Sequence, residues 1–261
     1  MSLLALRGVD KIFGGLHAVR GVSFQVEKGA IFGLIGPNGA GKTTLFNLIT
    51  GVYTPEHGEI VFQGKNIAGL RPASIAERGV ARTFQNIRIF RTMTVAENVM
   101  VAGHHLHKAS LGSAILRTRA YERDEHALGK RAHELLEILG LSELSDEVAG
   151  SLPYGSQRRL EIARGLMLSP QLLLLDEPAA GMNSQEARTL NDQIRFLRDQ
   201  LALTVILVEH NMAVVMNVCE TIHVVDHGET IAEGTPAEIK THPRVLAAYL
   251  GEETPDDEAS P

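Results

Sequence analysis

The 261-residue chain has a single cysteine, Cys219, so an internal disulfide is impossible and the thiol reads as a small buried hydrophobe. No apolar run approaches the ~20 residues that a membrane-spanning helix needs. The first residues, Met1-Ser2-Leu3-Leu4-Ala5-Leu6-Arg7, meet a charge too soon for a secretory leader, so the expectation is a chain made and kept in the cytosol. Positive charge is not in excess either. Formal net charge is −6, and the last ten residues, Glu252 to Pro261, hold five acids and no base. Without them 26 acidic residues face 25 basic ones, and so neutral a body lacks the basic footprint of a nucleic-acid binder. That end reads as a disordered acidic tail. What remains is the composition of an ordinary globule, 44% apolar and 21% charged. Its length suits one large α/β domain or a domain with an inserted subdomain.

The most informative stretch is Gly36-Pro37-Asn38-Gly39-Ala40-Gly41-Lys42-Thr43-Thr44. An apolar run, Ala30 to Ile35, reads as a buried strand leading into it, and Leu45, Phe46, Leu48 and Ile49 read as a helix leaving it. In that context G-x-x-x-x-G-K-[ST] is a phosphate cradle. The glycines let backbone N–H groups point inward, and the helix N-terminus adds partial positive charge at the same place. Lys42 then reaches the β- and γ-phosphates of a nucleoside triphosphate, and the Thr43 hydroxyl ligates Mg²⁺.

Residues 3 to 35 look like antiparallel strand material, with strands at Leu3–Val9 and Val22–Val26. Phe13 precedes Lys42 in a Gly-rich stretch and could stack on a nucleotide base or serve as a core aromatic. Further on, Ile60–Phe62 reads as a strand, Ala73–Arg78 as a short helix and Val80–Phe84 as a strand ending at Gln85. From Thr94 to about Arg164 the pattern turns helical. Leu128, Ala132, Leu135, Leu136 and Leu139 mark one apolar helix face, and Gly140 is its stop signal. This is a candidate helical subdomain inserted in an α/β chain. Within it His104, His105 and His107 beside Lys108 read as a solvated face in preference to a metal site.

Leu172-Leu173-Leu174-Leu175-Asp176-Glu177-Pro178 describes a fully buried parallel strand whose C-terminal end opens on a site. Asp176 can hold the Mg²⁺ shell, and Glu177 can polarise a water aimed at the γ-phosphate. Leu203–Glu209 is another buried strand, followed by His210, which has either a structural role or contact with a phosphate or the attacking water. Thr221–Val225 and Glu229–Ile231 form a hairpin around Asp226-His227-Gly228.

The segment Leu152-Pro153-Tyr154-Gly155-Ser156-Gln157 with Arg158-Arg159-Leu160-Glu161-Ile162-Ala163-Arg164 resembles the signature stretch of ABC-transporter ATPases, L-S-G-G-Q and its helix. With the phosphate loop, Gln85, Asp176-Glu177 and His210 it reproduces that family's motif order across almost the whole chain. Phe13-Gly14-Gly15-Leu16, Thr83 to Phe90, Met93 to Val99, Glu177 to Asn183, Glu209-His210-Asn211-Met212 and Ala248-Tyr249-Leu250-Gly251-Glu252 are similar to the ATP-binding subunits of high-affinity branched-chain amino acid importers.

The resemblance implies an α/β fold: a P-loop NTPase core of mainly parallel sheet, an antiparallel β subdomain and an inserted α-helical subdomain. Residues 1–251 would form one ATP-binding domain, with the helical part at about 87–165 and the tail at 252–261. It also implies a head-to-tail dimer with two ATP molecules between one phosphate loop and the other subunit's signature helix, where Gly155 and Ser156 lie. Phe13 then stacks on adenine; the loop from Gly36, Pro37, Asn38, Gly39, Ala40 and Gly41 to Lys42, Thr43 and Thr44 holds phosphates and metal. Gln85 contacts Mg²⁺ and water, Asp176 supports the metal, Glu177 is the base and His210 senses the γ-phosphate. The implied partners are a second ATP-binding subunit, identical or not, two membrane permease subunits and, through them, an external solute-binding protein. The place implied is the cytoplasmic face of the plasma membrane, with no nucleic acid bound. Ile87, Phe90 and Met93 would line the groove for a permease helix or belong to the subdomain core.

Tyr154 in place of the first signature glycine fits the branched-chain branch, and two other departures from the family pattern matter. Pro153 replaces the signature serine and has neither hydroxyl nor N–H, which predicts slower hydrolysis at the composite site it helps build. Asn183 stands where most of the family carries aspartate. A soluble ATPase acting on DNA or ribosomes would want a coiled-coil insertion or a duplicated cassette, and the chain shows neither a long heptad run nor a repeat. A generic phosphate-loop kinase or GTPase leaves the signature stretch, Gln85 and His210 unexplained. The solute stays open at this level: a branched-chain amino acid, another amino acid, urea or an amide.

Overall fold

The computed structural model describes residues 2–103 and 119–250. In chain order the elements are β1 (Ser2–Phe13), β2 (Leu16–Glu27), β3 (Ile31–Ile35), α1 (Lys42–Ile49), β4 (His57–Phe62), β5 (Lys65–Asn66), α2 (Pro72–Glu77) and β6 (Val80–Arg82). Then come α3 (Val95–Gly103), α4 (Arg119–Ile138), α5 (Tyr154–Leu166), β7 (Leu172–Asp176), α6 (Ser184–Leu201), β8 (Thr204–Val208) and α7 (Met212–Val218). The chain closes with β9 (Thr221–Asp226), β10 (Glu229–Gly234), α8 (Pro236–Thr241) and α9 (Pro243–Leu250). The strands form two sheets, an antiparallel one in the order β2-β1-β4-β5 and a larger one in the order β10-β9-β3-β8-β7-β6. In the larger sheet every pairing is parallel except that of β9 with β10.

The apolar runs explain the larger sheet. β3, β7 and β8 are buried at all five positions each, as strands covered on both faces must be. Alternate residues feed two cores. Ile31, Ile35, Leu173, Leu175, Val205 and Leu207 face the helices, while Phe32, Leu34, Leu172, Leu174, Ile206 and Val208 face α1 and the antiparallel sheet. Each such side chain contributes about 1.5–3 kcal/mol on burial. A one-residue slip of register would still bury apolar groups, so hydrogen bonding to both neighbours fixes the positions of the strand ends. Those ends carry the site.

Between β6 and β7 the described residues form helices α3, α4 and α5 and two short 3₁₀ turns, with a lone bridge from Thr94 to Val148. Ala132, Leu135, Leu136 and Leu139 of α4 and the turn behind it are buried, and Leu128 is half-buried against the same core. Gly140 ends the helix at φ +64°.

Several expectations shift in detail. Antiparallel pairing holds only to Glu27, because β3 sits between β8 and β9 in the parallel sheet. Strand β1 runs on to Phe13 through register shifts near Gly8 and Asp10 instead of stopping at Val9. Strand β6 stops at Arg82; the Thr83 N–H still reaches Leu174 O at 2.9 Å, after which Phe84 leaves the sheet. The β9–β10 hairpin turns on His227 and Gly228, both at positive φ, as a type I′ turn requires. The histidine cluster at 104–107 and the tail at 252–261 lie outside the described residues. Among the described residues no helix is long and apolar enough to cross a membrane, and no group of three His, Cys, Asp or Glu residues could hold a metal ion.

Candidate functional site

The loop between β3 and α1 is shaped by two glycines that nothing else could replace. A Cβ on Gly36, at φ +153°, would lie 1.9 Å from the Val225 carbonyl oxygen. One on Gly41, at φ +101°, would lie 2.6 Å from Ala18 O. The loop therefore packs against β9 and β2 at backbone distance. Gly41 caps α1 with no side-chain acceptor and no acid follows in the first turn, which leaves the helix N-terminus for an anion. The Lys42 ammonium is folded back onto Gly36 O and Pro37 O at 2.6 and 2.7 Å. Two carbonyls stand here where phosphate oxygens would, and the lysine is buried at the floor of a cleft.

That cleft, about 510 Å³, is lined by Phe13, by Asn38 through Thr44, by Gln85 and Glu177, and on its far side by Leu16, His17, Ala18, Arg20 and His227. Phe13 resolves into neither of its two simple alternatives. Its ring is 38% exposed on the cleft wall yet stands edge-on to Tyr53 at 5.0 Å, with the Lys11 ammonium 5.1 Å from its centroid. An aromatic so fixed loses little entropy when a flat ring stacks on it.

At the C-terminal end of β7 the two acids diverge. Asp176 is buried; its Oδ2 takes a hydrogen bond from Arg82 at 2.8 Å, and its N–H donates to Thr83 Oγ1. Glu177 faces the cleft from a left-handed backbone, φ +47°, costly for a residue with a Cβ. Its N–H donates to Val208 O at 2.8 Å, and its Oε2 accepts from Gln85 Nε2 at 3.0 Å. The exposed His210 brings Nδ1 to 3.8 Å from Glu177 Oε1 without lining the cleft. Behind them Glu209 is fully buried. Its carboxylate accepts N–H bonds from Ala179, His210 and Asn211, while burial pushes its pKa above the ordinary carboxylate value. Thr43 and Gln85 bring hydroxyl and amide oxygens to the cleft, whereas Asp176, buried against Arg82, does not line it; the three are of the donor types a hard cation such as Mg²⁺ takes.

Gly155 and Ser156 lie elsewhere. They sit in the first turn of α5 and line a second cleft of about 160 Å³ with Pro153, Met182, Gln185 and Glu186. The two clefts share no residue. Pro153 is the N-cap of α5 without a side-chain bond; its carbonyl accepts from Ser156 and Gln157 N–H at 3.0 Å each. Asn183 caps α6, accepting from Gln185 and Glu186 N–H while Glu186 returns a bond to its own N–H. Asparagine and aspartate cap helices about equally well, so the local structure tolerates the departure. Of the groove residues, Ile87 and Met93 are half-buried and Phe90 is 45% exposed beneath the Arg164 guanidinium, which rules out the core for Phe90.

Residue patterns give no role to Arg82, Glu209, Arg158 or Glu161, although the last three stand in segments that carry the family resemblance. Arg158 and Glu161 are spaced i, i+3 like any exposed helical ion pair, yet both are buried. Only a clash with the apolar face of α5 could have flagged them.

The family model described as "ABC transporter" matches residues 19–180, and that described as "Branched-chain amino acid ATP-binding cassette transporter" matches residues 229–254. The chain is 47% identical over 250 residues to the high-affinity branched-chain amino acid transport ATP-binding protein LivG of Salmonella typhimurium, covering 96% of this chain and 98% of that protein. It is 45% identical to BraF of Pseudomonas aeruginosa, a protein of the same description, with the same coverage. Among solved structures, an ATP-binding cassette of an ABC transporter in its ADP conformation superposes with a TM-score of 0.84 at 33% identity, over 97% of this chain and 100% of that one.

Proposed function

Since this chain belongs to the ABC transporter family and is its ATP-hydrolysing cassette, we propose that it powers an importer for branched-chain or related amino acids. Residues 1–251 serve as one ATP-binding domain, with the helical subdomain at about 87–165 and the acidic tail outside it. It works at the cytoplasmic face of the plasma membrane with a second ATP-binding subunit and two permease subunits. An external binding protein delivers solute to the permease. The short match at residues 229–254 and the descriptions of LivG and BraF support the amino acid class.

One observation carries the mechanism: Gln85 and Glu177, 92 residues apart in sequence, are hydrogen-bonded at the lip of the cleft that holds the glycine-rich loop. The loop amides and the α1 N-terminus take the β- and γ-phosphates of ATP, and Lys42 exchanges its two carbonyl partners for phosphate oxygens. Phe13 stacks on the base. Thr43, Gln85 and Asp176 would hold Mg²⁺, which supplies charge neutralisation at the phosphates. Glu177 takes the proton of the attacking water, Gln85 orients that water, and His210 beside Glu177 senses the γ-phosphate. The second cleft, with Gly155 and Ser156, shares no residue with the first, which supports a second subunit bringing its helix end to the γ-phosphate. Hydrolysis then releases the dimer, and the exposed Phe90 with Ile87 and Met93 carries that change to the permease.

Purification of the full-length chain from detergent-solubilised membranes tests the assignment. Recovery with permease subunits, and ATP-dependent uptake of leucine by the reconstituted complex, is expected. Recovery with ribosomes or DNA overturns it; uptake of urea or an amide alone overturns the solute class and keeps the ATPase.

A further inference from the structure

Arg158 is the largest fully buried side chain described, and its bonds reach two segments of the site besides Glu161 on its own helix. Its Nη2 donates to Asp176 O and Glu177 O, both at 2.7 Å. Its Nη1 donates to Phe84 O and, at 2.7 Å, to Glu161 Oε2. Glu161 Oε1 in turn accepts the N–H of Phe84 at 3.2 Å and that of Arg88 at 3.3 Å. Residue 84 is thus held at both its N–H and its carbonyl, one residue before Gln85. The carbonyl of Glu177 is held as well, at the residue whose left-handed backbone needs outside support.

A buried ion pair is a poor way to gain stability, since apolar residues of the same volume often do as well. What this pair supplies is direction. A planar guanidinium presents a fork of donors with fixed angles, which an ammonium cannot copy. Arg158 also lies on α5, within a turn of Gly155 and Ser156. A rigid helix cannot shift its first turn without carrying Arg158, and with it the Phe84–Gln85 and Asp176–Glu177 backbones.

We propose that Arg158, aligned by Glu161, is a positioning residue that transmits the seating of the α5 N-terminus in a composite site to Gln85 and Glu177 of the same chain. The second cleft of one subunit is thereby linked to its own first cleft, so two ATP sites in a dimer feel each other through one buried side chain per subunit. This rests on the roles given above to Gln85 and Glu177.

Arg158→Ala would strand a buried carboxylate, so the test uses Arg158→Lys and Glu161→Gln in the full-length chain. Steady-state ATPase, equilibrium ATP binding and thermal unfolding are measured together. A displacement of Glu177 by about an ångström predicts a kcat lower by ~10- to 100-fold for Arg158→Lys, with ATP affinity within ~3-fold of wild type. Glu161→Gln keeps one acceptor oxygen and turns an NH₂ donor toward either Arg158 or the Phe84 and Arg88 N–H groups, so its turnover falls as well. Combined with Glu177→Gln, Arg158→Lys lowers the residual rate by less than it lowers the wild-type rate, because part of its effect passes through Glu177 and only the part through Gln85 remains. Wild-type turnover in both single variants overturns the proposal, as does loss of ATP binding in step with kcat, or failure of both variants to fold. Wild-type turnover in Glu177→Gln alone overturns the underlying assignment instead, so the two failures are distinguishable.

Discussion

Gly36→Ala tests the geometry of the phosphate loop, with Gly39→Ala as its internal control. Both glycines have positive φ, +153° and +77°. A Cβ on Gly39 meets nothing within 4 Å, so that variant bears only the backbone term, about 1–2 kcal/mol. A Cβ on Gly36 bears a comparable backbone term of about 1–3 kcal/mol. In addition it meets Val225 O at 1.9 Å and Ala40 Cβ at 3.2 Å. The carbonyl belongs to β9, which is hydrogen-bonded along β3, so neither side can retreat cheaply. Overpacking of this kind adds about 1–3 kcal/mol. The expected loss is therefore about 2–6 kcal/mol for Gly36→Ala, against about 1–2 for Gly39→Ala. Urea unfolding without nucleotide reads the difference, and an ATP titration then reads the displaced amides as lost affinity. If Gly36→Ala unfolds at the same urea concentration as Gly39→Ala and binds ATP like wild type, the loop is not packed as described.

Glu177→Gln preserves the hydrogen bond to Gln85 and removes the base, so ATP binding should persist while turnover falls by roughly 10²–10⁴-fold; undiminished turnover removes Glu177 from the mechanism. Pro153→Ser supplies α5 with a side-chain N-cap, about 1 kcal/mol, and gives up roughly 0.4–1 kcal/mol of proline restriction. Stability should hardly change and the ATPase rate of the assembled complex should rise or stay level; a large fall would show that the proline itself is required. Cys219 is buried and its pKa is pushed up to about 12, so the thiolate is scarce in the native state up to about pH 10. Alkylation at pH 8.5 should require unfolding, and rapid modification of the native chain would contradict its packing.

What was legible in the sequence is what is local. The phosphate loop, the strand Leu172–Asp176 and the apolar face of α4 each announce themselves within about ten residues, because one turn, one strand or one helix face suffices to define them. The whereabouts of Gly155 and Ser156 relative to Lys42 were not legible from pattern, since helix packing sets them; the family resemblance placed them on another subunit's ATP. Phe13 stayed ambiguous because Tyr53, its edge-on neighbour, comes from a loop 40 residues on. The polar network was invisible for the same reason. Arg158 meets Phe84 across 74 residues and Glu177 across 19, and Arg82 meets Asp176 across 94. A charged pair at helical spacing reads as solvated until the fold closes over it.

The central claim is that two chains close over shared ATP, each lending the α5 end to the other's triphosphate. Light scattering of Glu177→Gln with saturating Mg-ATP, alone and mixed with its companion ATP-binding subunit, measures this most directly. A doubling of mass with ATP in at least one of the two samples, and a monomer with ADP, is expected. A strict monomer in both, with ATP demonstrably bound, would contradict the claim.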